Sequence, residues 1–200
     1  MRNIEIKAVL KNRESVEDRA KSLSGSGPTI IKQSDTFFEV PKGRLKLRSF
    51  EDGSGVLIFY ERPDVEGPKL SQYNMVKLED QVACDGLKGI LGKTNGIIGV
   101  VDKIRHLYIV GQSRIHIDQV DNLGNFMEIE VTIISHDCFV YWIFDTLFTL
   151  DIVFIIQVVL QDDEDVKIGE EISKNLMSKL GICDDDLIST AYIDLLAQKN

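Results

Sequence analysis

The chain has 200 residues, 44% of them hydrophobic, which suits one globular domain with a full core. A net charge of −9 and a pI near 4.9 argue against nucleic-acid binding by long-range attraction. Cys84, Cys138 and Cys183 lie far apart and the histidines are scattered, which argues against a disulfide framework and a zinc site and for a reducing, cytoplasmic setting.

In chain order, the first predicted strand runs from Arg2 to Leu10, with no secretory leader visible before it. Glu14 to Leu23 reads as a helix with Val16, Ala20 and Leu23 on one stripe, ended by Ser24-Gly25-Ser26-Gly27-Pro28. Thr29 to Lys32 and Ser34 to Val40 read as two short strands. A turn at Pro41-Lys42-Gly43 leads into a strand from Arg44 to Phe50. An Asp-Gly hairpin at 51–55 returns into Val56–Glu61, and Ser71–Leu78 is the next strand. Ala83–Leu91 reads as a helix. Gly99–Val110, Ser113–Gln119 and Phe126–Glu130 are strands, and Ile168, Ile172, Leu176 and Leu180 mark a helix stopped at Gly181. Asp184-Asp185-Asp186 is read as the cap of a last helix running through Leu196.

The charges on the strands carry the functional signal. Arg44, Lys46 and Arg48 alternate with Leu45 and Leu47, so one face of that strand is cationic. One such strand is most simply a solvated sheet face. Five other segments repeat the pattern: Glu5 with Lys7, Tyr60 with Arg62, Lys103 with Arg105, Arg114 with His116 and Asp118, and Glu128 with Glu130. Antiparallel strands with polar faces turned inward suggest a closed barrel around a ligand. A basic interior inside an acidic chain favours a small, highly charged anion over a polymer. The carboxylates are hard oxygen ligands of the kind Mg²⁺ shares with substrate phosphates. Arginine and lysine neutralise phosphate oxygens, and no nucleophilic side chain is evident or needed where positioning and electrostatics do the work. Lys77 and His116 remain unassigned.

Residues 131–157 depart from this pattern. They contain no Lys or Arg, and 139–160 is almost continuously apolar. Asp145 and Asp151 would each cost about 2.5–3.5 kcal/mol near a bilayer centre, which roughly cancels the gain from the apolar residues, so no membrane association is expected. Val131 can be encoded by GTN and Gln157 by CAG, the ends of a spliceosomal intron, and the Ile, Phe, Val and Leu codons supply a pyrimidine-rich tract. A translated retained intron accounts for all of these features; a genuine insert is the alternative. Removing its 27 residues keeps the frame, leaves 173 residues, brings the net charge from −9 to −6, and joins Glu130 to Val158 in one clean strand.

Together the motifs resemble the CYTH superfamily, the triphosphate tunnel metalloenzymes, and among them the class IV adenylyl cyclase-like members. Asn3-Ile4-Glu5-Ile6-Lys7 is similar to the E-x-E-x-K signature. The segments 33–38, 40–48, 57–64 and 124–130 and the tail from Leu187 to Leu196 carry the rest. The resemblance covers the chain apart from 131–157. It implies an α+β, mainly antiparallel fold, an eight-stranded β-barrel with flanking helices, and a Mg²⁺- or Mn²⁺-dependent enzyme acting on a small-molecule triphosphate. Carried over, Lys7, Arg44, Lys46, Arg48, Arg62, Lys103, Arg105 and Arg114 would hold phosphates. Glu5, Glu128 and Glu130 would hold the metal, with Asp118 assisting it or orienting an arginine. Asn3 stands where the signature has its first Glu, which weakens a second metal position. The expected activity is hydrolysis of tripolyphosphate, thiamine triphosphate or a nucleotide. The alternatives are cyclisation of ATP to cyclic AMP and pyrophosphate, and polyphosphate binding without turnover. The oligomeric state stays open, a dimer included.

Overall fold

A computed structural model describes residues 2–133 and 162–199, with the side chains of 162–164 left out. Eight strands form a closed antiparallel barrel: β1 (Arg2–Val9), β2 (Thr29–Phe38), β3 (Arg44–Phe50), β4 (Gly55–Glu61), β5 (Lys69–Leu78), β6 (Ile97–Val110), β7 (Ser113–Val120) and β8 (Gly124–Thr132). Their order around the wall is β1-β5-β4-β3-β2-β6-β7-β8. Among the described residues, four α-helices flank it: α1 (Arg13–Ser24), α2 (Gln81–Thr94), α3 (Asp162–Leu180) and α4 (Tyr192–Lys199).

The polarity of the barrel is inverted. The alternation in β1 turns Asn3, Glu5 and Lys7 inward, while Ile4, Ile6 and Ala8 are fully buried on the outside. Those outer residues join Tyr108, Ile115, Ile117, Met127, Ile129 and Val131 from β6–β8 and Val16, Ala20, Leu176 and Leu180 from α1 and α3 in the main core. The apolar driving force for folding therefore acts between wall and helices, which leaves the lumen free to be ionic. The approach is close: a Cβ on Gly169 of α3 would lie 2.9 Å from Ile4 Cγ1. A second core closes one end of the lumen, where Phe37, Val101, Val120 and Phe126 pack with Ala191, Tyr192 and Ile193.

Two predicted elements change. Thr29–Phe38 is one strand and not two, because Gln33 is an inward, buried lumen residue paired with both Phe50 and Lys103. The aspartate triplet at 184–186 caps no α-helix; it forms a 3-10 turn with Cys183 as its N-cap. The chain is then extended, bridging Leu187 to Ala8, and α4 begins at Tyr192. Gly43 takes φ +70 at the turn before β3, and a Cβ there would meet Tyr60 O at 2.8 Å.

Most of the suspected insert, 134–157, lies outside the described residues. Its first two residues extend β8: Val131 pairs with Ile4 and Ser113, and Thr132 with Asn3. The 173-residue sequence also has valine after Glu130, so this pairing does not discriminate between the two readings. No helix among the described residues is long and apolar enough to cross a membrane.

Candidate functional site: an ionic lumen

The lumen holds a cavity of about 190 Å³. Its lining includes Lys7, Lys46, Arg48, Arg62, Lys103, Arg105 and Arg114, together with Glu5, Asp35, Glu128 and Glu130. Seven cations against four carboxylates give this space a positive excess inside a chain of net charge −9. Pairing between neighbouring strands sets the arrangement. Arg114 lies opposite Glu130, Glu130 opposite Glu5, and Glu5 opposite Lys69, forming a row across β7, β8, β1 and β5. The next row sets His116 opposite Glu128 and Glu128 opposite Lys7.

On the β2–β3–β6 side, Asp35 organises the cations. It accepts from Lys46 Nζ at 3.0 Å and from Arg48 Nε and Nη2 at 2.7 and 2.9 Å, and Lys103 Nζ stands 3.7 Å away. Burial alone would raise the Asp35 carboxyl, but Arg48, Lys46 and Lys103 outweigh it and hold it well below the usual carboxylate range. Burial, reinforced by Arg48, lowers the Lys46 ammonium to about 7.

Asp118 plays the same part for Arg105. It is fully buried and accepts from Arg105 Nε at 2.7 Å and Nη2 at 2.6 Å, and from Tyr192 Oη at 3.3 Å. Against the effect of burial, Arg105 and Lys103 hold it at about 2. Asp118 is not among the lining residues, so of the two roles expected for it the geometry favours orienting an arginine. Arg105 also donates to Glu128 at 2.7 Å, and Lys7 Nζ meets the other oxygen of Glu128 at 3.0 Å. Tyr192 provides a floor: Lys7 Nζ lies 3.7 Å and Lys103 Nζ 4.8 Å from its ring centroid.

The β1–β8 side is crowded with like charge. Glu5 is raised by burial first and by its cross-strand neighbour Glu130 second, while Arg62 at 2.9 Å pulls the other way. Arg114 holds one oxygen of Glu130 at 3.2 Å. Carboxylates packed this closely are a donor set that a divalent cation relieves, and hard oxygens suit Mg²⁺ or Mn²⁺. The residues therefore fit such an ion.

Arg44 sits apart from the other expected phosphate ligands. It is not among the lining residues, and its guanidinium is held by Asp64 at 2.9 Å and by Asp194 of α4 at 2.8 Å. Asp35, Tyr192 and Lys69 are the participants that sequence reasoning does not assign. Lys69 Nζ, lowered to about 8 chiefly by burial, donates to Val65 O at 2.9 Å and Ile188 O at 3.4 Å. Asp35 has a readable signal, since it shares its face with Gln33 and Phe37. Lys69 extends the face of Ser71 by one more step of two.

The sequence profile of the CYTH domain matches residues 1–151. The chain belongs to the CYTH family. Membership puts it in a triphosphate-processing, metal-dependent superfamily. The same barrel occurs in the PH1012 protein of Pyrococcus horikoshii OT3, at 21% identity and TM-score 0.69 over 96% of this chain and 98% of that one. A conserved hypothetical protein of Pyrococcus furiosus gives 18% and 0.66 over 96% and 99%. A candidate adenylate cyclase from Vibrio parahaemolyticus gives 16% and 0.65 over 98% and 97%. At these identities the likeness concerns the CYTH fold alone. No curated protein sequence matches the chain.

Proposed function

We propose that this CYTH protein hydrolyses a triphosphate with the help of Mg²⁺ or Mn²⁺. The observation that carries the reading is the convergence of seven cations and four carboxylates on one cavity. Lys46, Arg48, Lys103 and Arg105, oriented by Asp35 and Asp118, hold the phosphate oxygens. Lys7, Arg62 and Arg114 complete the grip from the other side, and Arg44 lies at its margin. Glu5, Glu128 and Glu130 hold the metal, which when bound neutralises phosphate charge as a Lewis acid. Water attacks the terminal phosphorus, the bond to the bridging oxygen breaks, and phosphate and a diphosphate leave. The fixed cations stabilise the charge that spreads over the transferring group.

The volume bears on the substrate. About 190 Å³ is below the roughly 300–1,000 Å³ of pockets that enclose a drug-sized ligand. It suits the phosphate chain itself, with any organic substituent outside. One observation favours binding without turnover instead: Asn3 replaces an acidic residue, and its buried Oδ1 has no hydrogen-bond partner.

Phosphate and pyrophosphate release from tripolyphosphate, thiamine triphosphate and ATP, with and without Mg²⁺ or Mn²⁺, tests these readings. Metal-dependent phosphate release is expected. Pyrophosphate with cyclic AMP from ATP would make it a cyclase, and binding with no release a sensor. We further propose that 131–157 is a translated intron, so the 173-residue form is expected to match or exceed the 200-residue form. Activity confined to the longer chain would reject that.

A further inference from the structure

His116 is buried, at 4% exposure, on the inward face of β7. Its Nδ1 has no hydrogen-bond partner. That nitrogen stands 3.7 Å from Glu128 Oε2 and 3.6 Å from Glu130 Oε1. One ligand atom from each of His116, Glu128 and Glu130 falls within 4.8 Å of the other two. An unpartnered buried nitrogen costs free energy unless something satisfies it. Here it is aimed at two carboxylates that would share a cation.

We infer that His116 Nδ1 is a third ligand beside Glu128 and Glu130, and that this nitrogen makes the tunnel favour a first-row transition ion, Co²⁺ more than Mn²⁺, over Mg²⁺. The inference rests on the reading that the carboxylates hold a metal and adds the residue that sets which metal. The chemistry follows from the donor. Neutral imidazole with its proton on Nε2 presents a lone pair at Nδ1. Imidazole adds affinity for first-row transition ions along the series from Mn²⁺ to Cu²⁺, whereas Mg²⁺ keeps to oxygen and gives up its waters reluctantly. An all-carboxylate site would not discriminate in this way. Lys7 and Arg105 on Glu128 and Arg114 on Glu130 supply counter-charge to the same carboxylates without the ion, so the metal competes with cations already in place.

The test uses the full chain, wild type and the variants His116→Ala and Glu130→Gln, with folding checked by thermal melting. Pulsed electron paramagnetic resonance of bound Mn²⁺ is expected to show coupling to a ring nitrogen in the wild type, lost in His116→Ala. Competition titrations are expected to show Co²⁺ binding weakened by at least the 10–100-fold that loss of an outer-shell partner already costs. Mg²⁺ binding is expected to change by less than about twofold, because it does not use the nitrogen. Glu130→Gln is expected to weaken both ions together. Absence of nitrogen coupling in the wild type overturns the inference, as does equal weakening of both ions in His116→Ala. Unchanged binding of both ions in Glu130→Gln would instead overturn the carboxylate metal site on which the inference rests. If His116→Ala fails to fold, the wild-type nitrogen signal decides alone.

Discussion

The two sides of the lumen solve the problem of buried charge in opposite ways. On the β2–β3–β6 side, a single carboxylate, Asp35, answers Lys46, Arg48 and Lys103, and the cations hold its pKa down. On the β1–β8 side, Glu5 faces Glu130 across the ladder and its pKa is pushed up. The first side has surplus positive charge that is already oriented; on the second, Lys7 and Arg105 answer Glu128 and Arg114 answers Glu130, while Glu5 stays raised. A metal–polyphosphate complex supplies both deficits at once, its anion on one wall and its cation on the other. The difference teaches that the lumen is built for a ligand of two signs.

The sharpest way to break this contrast is Asp35→Asn. Leaving three buried cations without their carboxylate is expected to cost about 3–5 kcal/mol, read as a lower denaturation midpoint at unchanged slope. The pH sign follows from the lowered carboxyl. Its contribution is present above the unfolded value near 3.8 and is lost as pH falls toward the lower folded value, so the variant and wild type should converge in acid. On the opposite wall, Glu130→Gln is expected to lower turnover by about 10²–10³-fold, the several kcal/mol a metal's charge stabilisation is worth. A full-rate variant would remove the metal from that wall.

Lys46 sharpens the comparison further. With its ammonium at about 7, the free protein loses this cation as pH rises through neutrality. Anion affinity should therefore fall above pH 7, by up to about tenfold per pH unit for one proton. Binding at pH 8 should take up a proton, seen as a buffer-dependent heat in calorimetry. Because the folded value lies below the unfolded 10.5, Lys46 by itself makes stability rise with pH between about 7 and 10.5. The smallest effect is expected from Arg44→Ala. Its ties to Asp64 and Asp194 are half-exposed, so up to about 1 kcal/mol of stability is at stake and anion affinity should change little.

Much of this architecture is legible in period-two alternation. The β3 boundaries, Arg44 to Phe50, match the expected strand, and the lining cations all belong to a pattern visible in the chain. Alternation tells which face a side chain takes; it does not tell which partner it meets. Arg105 reaches Glu128 across 23 positions and Arg44 reaches Asp194 across 150, and such pairings arise only once the strands and the last helix pack together. The same limit hides what Asp35 meets, although the face it takes is legible, and leaves His116 unassigned. It also splits β2 at Gln33, where a lumen-facing amide reads as a loop residue.

The inverted wall also polices its own assembly. In any barrel, a strand that shifts by one residue against its neighbour swaps the faces of all its side chains. Here the same error in β1 would drive Glu5 and Lys7 under the helices and leave Ile4 and Ile6 stranded among ions. Both surfaces would suffer together, so mispaired intermediates are penalised twice and the charges needed for chemistry also proofread the fold.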